Sequence, residues 1–154
     1  MLDEQVEWPE TGKDERQWWM SVLARATADQ LKEVLSAAAV PSHSCLRGPE
    51  TGLLMVRGKI CGDGADFNVG EATVTRCTVR TAEGGIGHAY VLGCDHELAK
   101  LAALADALLQ SDRHDALIET LIVPLADAQQ ERRAAVARKV AATKVNFSTM
   151  AALR

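Results

Sequence analysis

His88 and Tyr90 lie two residues apart on what reads as one strand face. An imidazole and a phenol so placed are groups that general acid–base chemistry uses. Upstream, Glu71, Thr73 and Thr75 alternate beside Arg76, a carboxylate and hydroxyls near a guanidinium, from which a catalytic site can be built. Strand chemistry accounts for the same residues, because threonine favours strands and hydroxyls pair across them. No serine or cysteine nucleophile motif accompanies His88 and Tyr90. His96 and His114 are expected at helix N-termini or on the surface, and no His/Asp/Glu cluster has metal-ligand spacing. Asp106 stands among apolar helix residues; a carboxylate there is expected to be partly buried and satisfied by a strand or an arginine.

Gly62-Asp63-Gly64 and Gly70 surround Phe67-Asn68. Glycines allow positive φ and close backbone approach, and such loops can cradle phosphate. This one lacks the Gly-Lys-Ser/Thr ending of a nucleotide-binding P-loop and feeds a strand rather than a helix, so a loop shaped for a partner subunit is the reading preferred. Cys45, Cys61, Cys77 and Cys94 are too far apart for a Cys-x-x-Cys metal or redox motif. They are expected on successive strands as reduced, mostly buried thiols.

The elements that must position these residues follow from periodicity. Residues 1–13, with Trp8, Pro9 and Gly12, read as a flexible lead-in, and 14–154 as a single domain. Asp14–Ala26 is helical, and Thr27 with Gln30 forms a capping box for a second helix ending before Pro41. Ser44–Arg47 is extended, Pro49–Gly52 a turn, Leu53–Ile60 a strand and Cys61–Asn68 a loop. Ala72–Thr81 is a strand, Glu83-Gly84-Gly85 a hairpin turn, and His88–Leu92 the last strand. Asp95 caps a helix to about Gln110. A further helix spans Ser111–Val123 and stops at Pro124, and Asp127 opens the last, with Val136 and Val140 inward. Helices, then strands, then helices predict an α+β fold in which an antiparallel sheet of three or four strands packs on N-terminal and C-terminal helices.

Alternation allows one assignment in which Arg57, Lys59, Arg76, Arg80, His88 and Tyr90 share a sheet face. Three readings of that face stand side by side: a solvated surface, a subunit interface favoured by Met55, Val74 and Leu92 among the charges, and a phosphate-binding surface.

Bulk properties exclude several classes. The 154 residues give one domain with a real core. A net charge of −4 argues against a general nucleic-acid binder, which needs excess lysine and arginine. The N-terminus has no apolar signal-peptide core and no apolar run reaches membrane-spanning length, so a cytoplasmic protein without a membrane anchor is expected.

The segments 18–26 (WWMSVLARA), 46–80, 85–95 (GIGHAYVLGCD), 102–110 and 140–150 closely resemble the PhnG family, a subunit of the bacterial carbon–phosphorus lyase complex. PETGL…RG, F-N-x-G-E-A-T-x-T-R and GHAYVLG are its most specific motifs, and the family's Gly-Gly-x-Gly loop is here Cys61-Gly62-Asp63-Gly64. The resemblance implies assembly with PhnI, most directly, and with PhnH and PhnJ, two copies of each, and joint action with PhnL. It implies support of a step that displaces adenine from ATP with a phosphonate, giving ribose 1-phosphonate 5-triphosphate. It also implies no cofactor on this chain, the iron–sulfur cluster and S-adenosylmethionine being expected on PhnJ. Arg57, Phe67, Asn68, Glu71, Thr73, Arg76, His88 and Tyr90 are then interface or substrate-binding candidates rather than a self-sufficient catalytic set. A direct contribution of the cationic face and glycine loop to ATP or phosphonate binding is the alternative.

Overall fold

Ten of the fourteen residues of one helix, α3 (His96–Leu109), are buried, and the rest of the chain is layered around it. The computed structural model describes residues 12–38, 40–59 and 64–145. The lead-in through residue 11, the Cys61–Asp63 part of the glycine loop and the tail from residue 146 lie outside the described residues.

Two helices come first, α1 (Gly12–Leu23) and α2 (Ala28–Ala37). The capping box is present: the Thr27 amide donates to Gln30 Oε1 at 3.0 Å and the Gln30 amide to Thr27 Oγ1 at 3.4 Å. Three antiparallel strands follow, β1 (His43–Lys59), β2 (Asp66–Thr81) and β3 (Ile86–Leu92), in spatial order β1-β2-β3. The α+β arrangement is as the sequence order implies. Next comes α3, with Asp95 Oδ1 accepting the Leu98 amide at 2.8 Å as its cap. Then α4 (His114–Leu117), a π-helical turn (Ile118–Ile122) and α5 (Val123–Ala141) run on without a break.

Three expectations change. Pro49–Gly52 is not a turn, because β1 passes straight through it. Proline is tolerated there since β1 is an edge strand and the pairing with β2 shifts between Cys45 and Arg47 and between Arg47 and Glu50. β2 begins at Asp66, six residues before the predicted Ala72. Pro124 does not stop a helix: it has no N–H to offer the carbonyl of Thr120 and would crowd it in regular α winding. The π turn directly before it widens the backbone, with the Val123 amide reaching back five residues to the Ile118 carbonyl. Asp127 is therefore an interior residue of α5.

One face of the sheet carries Thr75, Cys77, Val79, Ala89 and Val91, all buried against α3. An apolar helix buried on nearly all sides has to be covered all round; α3 has the sheet on one side and α1, α2 and α4 on the other. Gly87 allows the closest approach: a Cβ there would sit 1.9 Å from the Ala103 carbonyl oxygen and 2.4 Å from the Ala107 nitrogen. Asp106, fully buried, ties three elements together. Its Oδ2 accepts from Arg16 Nη2 and from the His88 amide, both at 2.8 Å, and its Oδ1 from Trp19 Nε1 at 3.0 Å and Arg16 Nε at 3.2 Å. Strand and arginine both serve it. His114 joins α1 to the start of α4, with Nε2 3.1 Å from Glu15 Oε1 and Nδ1 2.8 Å from the Leu109 carbonyl. Among the described cysteines only Cys77 is buried, while Cys45 and Cys94 are exposed. No helix among the described residues is long and apolar enough to cross a membrane.

Candidate subunit-docking surface

β3 ends at Leu92, where Gly93 (φ +91°) turns the chain away and its amide caps the Thr73 carbonyl at 2.8 Å. Beyond that point β1 and β2 continue alone. Leu53–Lys59 pairs with Asp66–Thr73 as a two-stranded ribbon, about 20 Å long at ~3.3 Å per residue, standing clear of the helices. Cross-strand partners share a face, so Leu53 and Met55 lie with Thr73 and Glu71, whereas Leu54 and Val56 lie opposite with Ala72 and Gly70. Both faces are apolar and in the open: Leu53, Leu54, Met55, Val56, Phe67 and Val69 are all exposed, Leu53 to 68%. A two-stranded ribbon is marginal in water by itself, and contiguous exposed apolar surface marks a contact site. The pairing shifts by one residue between Val56 and Arg57, and such an irregularity bends and twists a ribbon.

The sheet face turned away from α3 continues this surface. The row Gly52–Val74–Leu92 crosses three strands, and Glu50–Arg76–Tyr90 runs alongside it. Leu92, 74% exposed, and Val74 adjoin Leu54, so the apolar part sits at the ribbon's base. The charged part lies further along. Glu50 accepts from Arg47 Nε at 3.0 Å and from Arg76 Nη2 at 3.1 Å. The hydrogen bonds from Arg47, then Arg76, hold the Glu50 carboxyl below the usual glutamate range.

A chain of hydroxyls anchors the ribbon where it leaves the body. Thr75 donates to the Gly93 carbonyl at 2.7 Å, Thr51 Oγ1 lies 3.0 Å from Thr75 Oγ1, and His96 Nε2 lies 2.8 Å from Thr51 Oγ1. Each hydroxyl has one proton. With the Thr75 proton given to Gly93, Thr51 donates to Thr75 and His96 carries its proton on Nε2. This links β1, β2 and the first turn of α3.

The structure separates several residues grouped by alternation. Arg76, Arg80, His88 and Tyr90 share the open face, with His88 Nδ1 3.1 Å from Thr78 Oγ1. Arg57 and Lys59 are at the ribbon's far end. Arg57 pairs with Asn68, eight residues from Arg76 along β2 and so about 26 Å away; its guanidinium lies 4.0 Å from Asp66. In the regular part of the ribbon it is Leu54 and Val56, not Met55, that share Arg76's side. Glu71, Thr73 and Thr75 do share a face, and Thr75 there pairs across to Thr51, as strand chemistry predicts. Phe67 and Asn68 belong to β2 rather than to a loop. Sequence reasoning missed Leu53, Leu54, Val56 and Val69 as site residues, because an apolar strand residue looks the same whether its cover lies in its own chain or in another. The one available signal was that Leu53–Val56 is apolar at every position, a pattern expected of strands buried on both faces.

A family model described as "Phosphonate metabolism protein PhnG" matches residues 14–152. The alpha-D-ribose 1-methylphosphonate 5-triphosphate synthase subunit PhnG of Rhizobium meliloti (strain 1021) is 46% identical over 154 residues, covering 97% of each chain. With the family model spanning nearly the whole chain and a relative this similar end to end, the chain belongs to the PhnG family.

Proposed function

We propose that this chain is a subunit of an alpha-D-ribose 1-methylphosphonate 5-triphosphate synthase in organophosphonate catabolism, and that its role is to seat a neighbouring subunit on the ribbon and open sheet face. The relative's name supplies the assembly. The observation that carries the docking role is the ribbon, apolar on both faces and left uncovered among the described residues. An arm of that kind is stable when a cleft in a partner encloses it. The partner proposed is PhnI, with PhnH, PhnJ and PhnL completing a cytoplasmic system. In this reading ATP and the phosphonate are handled by the assembly, while the iron–sulfur cluster and S-adenosylmethionine belong to PhnJ.

Co-expression of tagged PhnI with Leu54→Glu/Val56→Glu tests this. The charges fall on exposed positions, so the isolated chain keeps its fold while PhnI is no longer retained. Undiminished co-purification and synthase activity of that variant would falsify the docking role. Direct binding of ATP or phosphonate by the cationic face makes the opposite prediction: Arg57→Ala and Arg76→Ala would raise KM with assembly intact. The distance between those two arginines and the engagement of Arg76 by Glu50 favour docking.

A further inference from the structure

Besides the ribbon, other surfaces of the described residues stand open. From Glu131 to Ala141 every residue of α5 but the half-buried Ala135 is exposed, including Val136 and Val140, so the expectation that these valines face inward is overturned. The outer edge of β3 is another open surface, and the chain carries a segment that fits it.

Among the described residues β3 pairs only with β2. In an antiparallel strand alternate residues turn their backbone groups to the same side. The Gly93 amide donates to the Thr73 carbonyl of β2, so by alternation Gly87, Ala89 and Val91 face β2, while Ile86, His88, Tyr90 and Leu92 face outward. Side chains close the first half of this outer edge. Gln110 Nε2 donates to the Ile86 carbonyl at 3.0 Å, and the His88 amide donates to Asp106 Oδ2 at 2.8 Å. The second half is open: no described residue bonds the Tyr90 amide or carbonyl, or the Leu92 amide. An edge in this state invites pairing with a further strand. Beside it lies a groove of about 210 Å³ between α1 and β3, lined by Met20, Ala24, Ala89, Tyr90 and Ala102. That is less than the ~300 Å³ or more of a small-molecule pocket, and it suits the side chains of an added strand.

α1 runs alongside β3 in the same sense. Arg16 and Trp19 reach Asp106, which holds the His88 amide, while Met20 and Ala24 line the groove at Tyr90. The chain before Gly12 therefore arrives at the closed end of the edge. Doubling back from there, it would run antiparallel to β3 and reach the groove after ~12–18 Å, the rise of α1 from Gly12 to Met20 and Ala24. About six extended residues span that distance. Residues 2–8 have a half-buried strand pattern. Leu2, Val6 and Trp8 fall on one side with Glu4, and Asp3, Gln5 and Glu7 on the other. Pro9 follows, with its φ preset for a turn. Residues 1–11 hold Asp3, Glu4, Glu7 and Glu10 and no lysine or arginine, whereas the open sheet face beside this edge carries Arg76, Arg80 and His88.

We propose that residues 2–8 pair with the outer edge of β3 as a fourth, antiparallel strand, Val6 and Trp8 turned towards the α1 groove and Glu7 towards the cationic face. The reach from Gly12, the period-two pattern and the charge complementarity select this occupant. The added strand satisfies the Tyr90 and Leu92 backbone groups, and it makes the lead-in an ordered part of the sheet rather than the flexible segment its composition suggests. The ribbon, on the far side of the sheet, stays available to a different subunit.

The test is backbone amide exchange of the full chain in dilute solution, followed by NMR. The Tyr90 amide should exchange about tenfold or more slowly than in Val6→Asp/Trp8→Asp. The Ala89 and Val91 amides, bonded to β2, should keep the same protection in both, which shows that the fold is intact. The wild type also decides the matter by itself, should the variant fail to fold: cross-strand nuclear Overhauser contacts are expected between residues 2–8 and Tyr90, and their absence overturns the proposal. Tyr90 protection that survives Val6→Asp/Trp8→Asp overturns it too. So does protection that appears only at high protein concentration, as edge pairing between copies would give, or only when a partner subunit is added.

Discussion

Replacing Asp106 by asparagine removes one oxygen from a site where four donors meet. The amide can offer its carbonyl to the position now filled by Oδ1 or by Oδ2. In the first arrangement the His88 amide faces an NH2 group, and in the second the Trp19 indole does. One neutral donor is stranded in a dry interior either way, at a cost of about 1–3 kcal/mol. Arg16 also loses its counter-charge, but its side chain is 35% exposed, so water takes over part of that bond and the added loss is about 1 kcal/mol. The expected destabilisation is ~2–4 kcal/mol, which for a chain of this size lowers Tm by about 5–15 °C. Asp106→Ala strands both neutral donors and opens a cavity, so it should cost more. Urea unfolding followed by circular dichroism and tryptophan fluorescence measures both. Arg16→Met and the double variant complete a cycle, whose loss should fall short of the sum of the singles because the two groups act on one another. A cost below about 1 kcal/mol for Asp106→Asn, or strict additivity in the cycle, would show that the carboxylate does not hold α1, α3 and β3 together as described.

Gly87→Ala drives a methyl group into the backbone of α3 at Ala103 and Ala107, and should cost ~3 kcal/mol or more and sharply reduce soluble yield; wild-type stability in a urea titration would contradict the packing. Burial pushes the Cys77 thiol up to about 11, so iodoacetamide at pH 8 should label Cys45 and Cys94 and reach Cys77 only on unfolding, as peptide mass mapping would reveal. Because the folded thiol holds its proton more tightly than the unfolded one, its contribution to stability is whole below pH 9 and declines as pH rises towards 11. The Glu50 carboxyl is shifted the other way, so its contribution is whole above the ordinary glutamate range and is lost as pH falls through its lowered folded value; an NMR titration of Glu50 that stays at the ordinary position would count against the Arg47–Glu50–Arg76 bridge. Thr51→Val breaks the hydroxyl chain at its middle and should cost about 1 kcal/mol while speeding amide exchange at the ribbon's base.

Local chemistry was readable wherever a residue's partner lay within a few positions. Thr27 with Gln30, Asp95 at the head of α3 and the Glu83–Gly85 turn each carry their own hydrogen-bonding logic. Asp106 was readable for a related reason: a carboxylate inside an alanine- and leucine-rich helix must find donors, whatever the fold. Features that depend on distant neighbours were not readable. Pro49 reads as a turn until β1 is known to be an edge strand that bulges there, and Pro124 reads as a stop until the π turn is seen to absorb it. Val136 and Val140 have helical spacing, which says that one face is apolar but not that a core exists to receive it. The six-residue cationic face failed for a geometric reason: alternation sorts residues into two sides but does not say how far along a long strand they lie. The docking ribbon was seen in part, through Arg57, Phe67 and Asn68, while Leu53, Leu54, Val56 and Val69, the apolar residues that dominate it, were not among the candidates.

The π-helical turn at Ile118–Ile122 also governs where the far end of the chain can reach. Such a turn holds one residue more than α winding would, so everything after it is rotated by about 100° relative to an unbroken helix. Deleting one residue from the turn would leave the order and spacing of every later side chain intact, yet swing Arg132, Val136 and Val140 a quarter-turn or more around the axis and press the Pro124 ring against a carbonyl it now avoids. The heading of the outer helix is thus set at this turn, which Leu121 and Ile122 anchor in the core, and related chains that differ in length here would be expected to aim the same arm elsewhere.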